Sequence, residues 1–202
     1  SEMCIRDRFT DAEAIVYPLA DGGEGTLDAI AACGGELSTC DVAGPLGDRV
    51  SARMLVDDER DSAVIEMAEA AGIGYSPCTE SSALAATTYG VGELMLRAVR
   101  AGAKTIYIGL GGSATNDGGC GAAAALGVEF YDRRGRTFVP TGGTLGDIHR
   151  ISAENLEPLP PVTVLCDVDN PLCGPRGAAA VFGPQKLSLI HISEPTRHSL
   201  IS

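Results

Sequence analysis

Residues 104–120 constrain the fold more than any other stretch of the chain. KTIYIGL at 104–110 is nearly continuous, β-branched and apolar, as a strand buried on both faces requires. GLGGSATNDGG at 109–119 follows at once, and then CGAAAALG, whose small side chains let a helix lie close against a sheet. A strand, a glycine-rich polar loop and a small-residue helix in succession belong to α/β proteins, where ligands gather beyond the carboxyl ends of the strands. The loop lacks the GK[ST] ending of a P-loop. Its glycines, Gly111 and Gly112 among them, admit close approach of backbone to phosphate oxygens. Ser113, Thr115 and Asn116 add short donors, and Asp117 offers a metal-binding carboxylate near a helix start.

Two further polar loops follow segments that read as strands. In ADGGEGT, residues 20–26, Asp21 and Glu24 flank Gly22 and Gly23 ahead of a helix. Backbone N–H groups there can face an anion while the carboxylates face a cation; equally, the loop reads as a plain turn with Asp21 as N-cap. In CDVDNPLCGPRG, residues 166–177, Asp167, Asp169 and Asn170 present oxygen ligands and Arg176 is a candidate phosphate contact. The competing reading is an Asx/Pro turn at Asn170-Pro171. Lys186 adds a cation if the chain turns back, and Glu66, ending an apolar strand, is placed to point into a cleft. His149 reads as a surface residue, and Cys166 and Cys173 as packing thiols rather than zinc ligands. Nothing suggests a Ser-His-Asp triad, since no GxSxG elbow is present.

The rest alternates strand and helix. A strand is expected at 13–19, a helix at 25–33, and a hairpin from 36–42 and 49–56. A strand at 62–68 precedes a helix from Thr88 to Ala101, with Val91, Leu94, Met95 and Val99 on one face. VEFYD and TFVP suggest a second hairpin, 144–151 a short helix, and 162–168 a second buried strand. The fold class expected is α/β, a mixed sheet with helices.

Charge excludes more than it proves. A net charge of −12 disfavours nucleic acid and anionic membranes as partners, yet clustered carboxylates can hold Mg²⁺ on a nucleotide. Seven Cys without framework spacing, no apolar run long enough for a bilayer and no signal pattern fit a reducing cytoplasm. Residues 1–8, SEMCIRDR, and 187–202, LSLIHISEPTRHSLIS, share no character with the Gly/Ala-rich chain between them. They resemble translated sequencing-adaptor DNA and are expected to be foreign to the fold, leaving 9–186 as the folding unit.

In order and spacing, PLADGGEGT, VAGPLGD, AVIEMAEAAGI, TTYGVGEL, GLGGSATNDGG, ALGVEFYD, CDVDNPLCGPRGA and FGPQK resemble the glycerate kinase family from about Phe9 to Lys186. The loop at 109–119 is also similar to the GLGSSA loop of the galactokinase and homoserine kinase superfamily, so another small-molecule kinase is an alternative. The resemblance implies ATP-dependent phosphorylation of D-glycerate to 2- or 3-phosphoglycerate with Mg²⁺, by two α/β domains, one Rossmann-like and the other inserted into it. This chain would carry mainly the inserted domain and part of the Rossmann-like one. It lacks the family's opening strand and everything after FGPQK, so a catalytically inactive fragment that at most binds a small anion is a second alternative. Under the resemblance, Gly111, Gly112, Ser113, Thr115, Asn116 and Arg176 would hold phosphate. Asp21, Asp117 and Asp167 would be the catalytic carboxylates, Asp117 and Asp167 holding the metal. Gly22, Gly23, Glu24 and Asn170 would face the substrate. D-glycerate and ATP are the expected small-molecule partners, with a homo-oligomer left open.

Overall fold

The computed structural model describes Leu19 and residues 21–172 and 174–186. The segments expected to be foreign, the strand at 13–19 apart from Leu19, and Cys173 lie outside the described residues. Among the described residues, a five-stranded mixed sheet carries the fold, in the order β1-β2-β3-β4-β8. β1 (Glu36–Ala43) and β2 (Arg49–Asp57) form the expected hairpin, paired from Glu36↔Val56 to Ala43↔Arg49. β3 (Ser62–Glu66) runs antiparallel to β2, whereas β4 (Thr105–Gly109) and β8 (Val162–Leu165) run parallel to β3. A smaller sheet joins β5 (Glu129–Tyr131) to β6 (Thr137–Phe138) and β7 (Arg150–Ser152).

Because side chains alternate across a strand, the two faces of the main sheet have separate partners. Ala52, Met54, Ala63, Ile65, Ile106 and Ile108 pack under a helix carrying Val91, Leu94, Met95 and Ala98. Leu55, Val64 and the half-buried Tyr107 face the other way, where Leu27 covers them. The helices are α1 (Thr26–Ala31), α2 (Met67–Ala71), α3 (Glu80–Ala85), α4 (Tyr89–Arg100), α5 (Cys120–Ala125) and α6 (Ala178–Lys186).

The structure departs from the sequence reading in five places. The strand expected through residue 68 stops at Glu66, which is still extended, and Met67 begins α2. The short helix expected at 144–151 is a single 3₁₀ turn, Leu145–Asp147; Arg150–Ser152 instead pairs with β5, and the Arg150 guanidinium lies 3.6 Å over the Tyr131 ring. The strand expected to be buried at 162–168 ends at Leu165 and is largely exposed, because among the described residues it has a partner, β4, on one side alone. Residues 178–183, AAAVFG, to which the sequence pattern assigns no element, are helical, within α6. α3 also escaped the reading; its cap is Thr79, whose side chain accepts from Ser82 N–H.

Two glycines in α4 show why the helix sits so close. A Cβ on Gly90 would stand 1.8 Å from the Ala43 carbonyl oxygen, and one on Gly92 would stand 2.4 Å from the Ala122 carbonyl oxygen on α5. Helix propensity alone favours alanine over glycine by about 1 kcal/mol. The contacts reverse the sign, so Gly90→Ala should destabilise the chain by roughly 1–3 kcal/mol, as overpacking does. Urea denaturation measures it; a gain in stability would show that this helix is not held at backbone contact.

Candidate functional site

The three polar loops converge at the carboxyl ends of the parallel strands, and backbone contacts bring them together. The Gly22 carbonyl accepts from Gly111 N–H at 2.9 Å, and the Leu165 carbonyl at the end of β8 accepts from Leu110 N–H at 3.3 Å. A Cβ on Gly22 would meet the Leu165 carbonyl oxygen at 2.4 Å. One on Gly109 would meet the Gly22 oxygen at 2.6 Å, and one on Gly111 the Gly23 Cα at 2.4 Å. These glycines let loop touch loop. The close approach expected between Gly111 and phosphate is taken by Gly23, whereas Gly112 (φ 72°) is exposed and lines a cleft.

In the first loop, Asp21 is exposed and its Oδ1 accepts from Gly23 N–H at 2.9 Å. Gly22 is buried and donates to Thr26 Oγ1 at 3.1 Å. Gly22 and Gly23 thus shape the loop; the substrate contact expected of Gly22 does not suit its burial against Leu165. Glu24 is exposed at a cleft of about 550 Å³ that Gly25, Asp28, Arg53, Glu66 and Glu69 also line. Glu66, expected at a strand end to face a cleft, borders it but is turned inward. The residue is 2% exposed and its carboxylate accepts from Leu27 N–H at 2.5 Å and from Gly25 N–H, so β3 caps the start of α1. Burial, against the opposing effect of these hydrogen bonds, raises the Glu66 pKa above its ordinary value.

Across the same cleft, Arg53 on β2 joins two helices. Its Nε and Nη2 donate to Glu69 Oε1 of α2 at 2.9 and 2.6 Å, and its own N–H donates to Glu69 Oε2 at 2.9 Å. Its Nη1 donates to Asp28 Oδ1 of α1 at 2.8 Å. Hydrogen bonds to Glu69 first, and then to Asp28, push the guanidinium pKa up. None of these three residues was anticipated, since nothing local in a strand and two short helices signals that they will meet.

The structure uses Asp117 differently from the sequence expectation. Its side chain is fully buried and accepts from Thr88 N–H (2.8 Å), Thr88 Oγ1 (2.9 Å), Gly119 N–H (3.1 Å) and Gly121 N–H (3.1 Å). The carboxylate joins the start of α4 to the start of α5 and has no face toward solvent for a metal or substrate. Its metal and catalytic roles are corrected on that ground: a buried carboxylate saturated by four donors is a clamp. Thr88 completes it by accepting from Ala122 N–H at 2.9 Å. Burial first, and the Asp117 charge second, push the Cys120 thiol pKa up. Beyond Asp117, Ser113 and Asn116 are half-buried and Thr115 is buried. The neighbouring stretch is tied to α2 and the turn after it: Ile73 N–H donates to the Gly112 carbonyl at 2.9 Å and Ala114 N–H to the Ala71 carbonyl at 2.8 Å.

In the third loop, Asp167, Asp169 and Arg176 are exposed, and Asn170 Nδ2 closes the turn by donating to the Arg176 carbonyl at 3.0 Å. That bond leaves from the amide nitrogen to a carbonyl six residues on, so it is not the expected Asx turn. His149 is exposed, as expected. Among the described residues, no group of three or more His, Cys, Asp or Glu side chains is gathered as a metal cluster.

The model of the glycerate kinase family matches residues 2–188. The chain belongs to this family. The match reaches into both end segments set aside in the sequence reading. Among its relatives, the chain is 43% identical over 189 residues to the glycerate 2-kinase of Escherichia coli, covering 92% of this chain and 50% of that one. It is 45% identical to the glycerate kinase of Halalkalibacterium halodurans, again covering 92% of this chain and 50% of the relative. A crystal structure described as that of a glycerate kinase 2 from Salmonella typhimurium LT2 superposes with a TM-score of 0.79 at 42% identity, covering 95% of this chain and 52% of the other. The chain spans about half the length of these relatives. No helix among its described residues is long and apolar enough to cross a membrane.

Two outcomes follow for this glycerate kinase family chain. Asp117→Asn turns an acceptor into a donor against N–H groups and should cost about 3 kcal/mol in urea denaturation, whatever it does to ligand binding. For Glu66 the folded pKa lies above the unfolded one. Its stabilising contribution is present below the ordinary carboxylate value of 4.5 and is lost as pH rises through the folded value. Glu66→Gln, which keeps an acceptor for Leu27, should therefore gain stability relative to the native chain as pH rises from about 4 to 7. A difference that stays flat, or runs the other way, would contradict the assigned cause.

Proposed function

We propose that this chain supplies the phosphate-handling loops of an enzyme that transfers the γ-phosphoryl group of ATP to D-glycerate with Mg²⁺, giving 2- or 3-phosphoglycerate. The observation that carries the reading is the meeting of loops 20–26 and 109–119 with the end of β8, from which 166–177 departs, stitched through Gly22, Leu165 and Gly111. The names of the relatives, glycerate kinase and glycerate 2-kinase, support the same reaction class.

The residues present fit such ligands selectively. Asp21 immediately precedes Gly22 and Asp167 lies two residues past Leu165, so two exposed carboxylates flank the point where the loop backbones touch. Mg²⁺ in phosphoryl-transfer sites is commonly held by one or two carboxylates, with phosphate oxygens completing the shell. Bound in this way it neutralises charge on the phosphates, which is most of what the transfer requires. Asp21 and Asp167 are thus the metal and hydroxyl partners of this reading, one of them taking the proton of the attacking hydroxyl. Gly112, Ser113 and Asn116 face the phosphates and Arg176 adds a cation, while Thr115 lies beneath them. Asp117 and Thr88 keep the loop in shape without touching the ligand.

In a chain extended to the length of its relatives, ADP release should depend on D-glycerate and should not be supported by glycerol or homoserine. Asp167→Asn should lower kcat by about 100-fold or more, the order lost with one electrostatic contact to a transition state. Asp169→Asn, beside it but assigned no role, should change kcat by less than about 3-fold. Release of ADP with homoserine in place of D-glycerate would move the assignment to another small-molecule kinase, and no release with any acceptor would favour a binding module.

A further inference from the structure

We propose that the outer edge of the Arg53 guanidinium seats the carboxylate of a small ligand, which enters by displacing Asp28. This deepens the glycerate reading, naming where the acid group is held, and rests on it only for the choice of D-glycerate as probe.

Arg53 is held asymmetrically. On one side Glu69, whose side chain is only 13% exposed, takes Nε, Nη2 and the Arg53 backbone N–H, an anchorage that fixes the plane of the fork. On the other, Nη1 and Nη2 meet Asp28 at 2.8 and 3.4 Å, a splayed pairing with a side chain that is 59% exposed. An exposed pair of this kind contributes little and exchanges readily. Asp28 shows that a carboxylate fits the outer edge of the fork, and its place in the first turn of α1 leaves it able to swing into solvent.

The surroundings favour exchange over simple addition. Among the described residues, Arg53 is the one cation lining the 550 Å³ cleft, which Glu24, Asp28, Glu66 and Glu69 also line. A second anion added beside Asp28 would meet uncompensated repulsion. An anion replacing Asp28 keeps the count of charges facing Arg53 unchanged, with Glu69 answered by Arg53 and the Glu66 carboxylate by the N–H groups of α1. Gly112 lines the same cleft, so a hydroxy acid anchored at Arg53 shares a chamber with the 109–119 loop. The cleft volume lies within the range of small-molecule sites.

The test is titration calorimetry of the 202-residue chain at low ionic strength with D-glycerate, glycerol and inorganic phosphate. D-glycerate should bind and glycerol should not. Asp28→Asn should tighten D-glycerate by about 3- to 5-fold, the equivalent of removing an exposed competing ion pair. Arg53→Met should weaken it by roughly tenfold or more, with Arg53→Lys between, since lysine keeps the charge without the fork. If Arg53→Met fails to fold, the solvent-facing Asp28→Asn carries the test alone. Unchanged or weakened binding in Asp28→Asn overturns the proposal. So does phosphate binding that gains from Asp28→Asn while D-glycerate does not. Absence of ADP release in the full-length chain, with this binding and its Asp28 dependence intact, would sink the kinase reading and leave the Arg53 site standing.

Discussion

The site depends on one contact between backbones. Gly22 lies against the Leu165 carbonyl and offers its own carbonyl to Gly111, and neither approach leaves room for a Cβ. Two loops far apart in sequence are held edge to edge as a result, against the end of the strand from which the third departs. An alanine at 22, 109 or 111 would push these loops apart before it touched any ligand. The glycine density of the two loops is thus first a packing requirement, and Gly25 and Gly112 are positions where it also serves an open cleft.

Carboxylates divide by exposure into two kinds. Asp117 and Glu66 are buried and receive backbone N–H groups at helix starts, so their charge is used up in holding α1, α4 and α5. Asp21 and Asp167 stand in solvent at the loop edge, where a cation can reach them. Between these lies the Asp28–Arg53–Glu69 bridge, half anchored and half open. Burial therefore separates the side chains that shape the site from those able to meet a ligand, although all are acids on polar loops or strand ends.

Much of this was legible in local pattern. The alternation in 36–42 and 49–56 gave the hairpin, and Val91, Leu94 and Met95 gave the buried stripe of α4. The three loops were recognisable because glycine with short polar residues after a strand is a local signal. Pairing decided what pattern left open. Residues 150–152 form a strand because β5 offers an edge, and 162–165 are exposed because, among the described residues, only β4 pairs with that strand. Asp117 resembled a ligand in sequence because an acid near a helix start suits a metal and a clamp equally. Arg53 carried no signal, since its partners lie 25 and 16 residues away in sequence.

The sequence by itself determined the α/β class, the loops that carry polar chemistry and the family, because these follow from residue type, period and short-range order. Only the tertiary structure decided which acids are spent inside the fold and which remain for a ligand. That choice depends on solvent access and on donors brought in from distant elements, and no spacing along the chain encodes either.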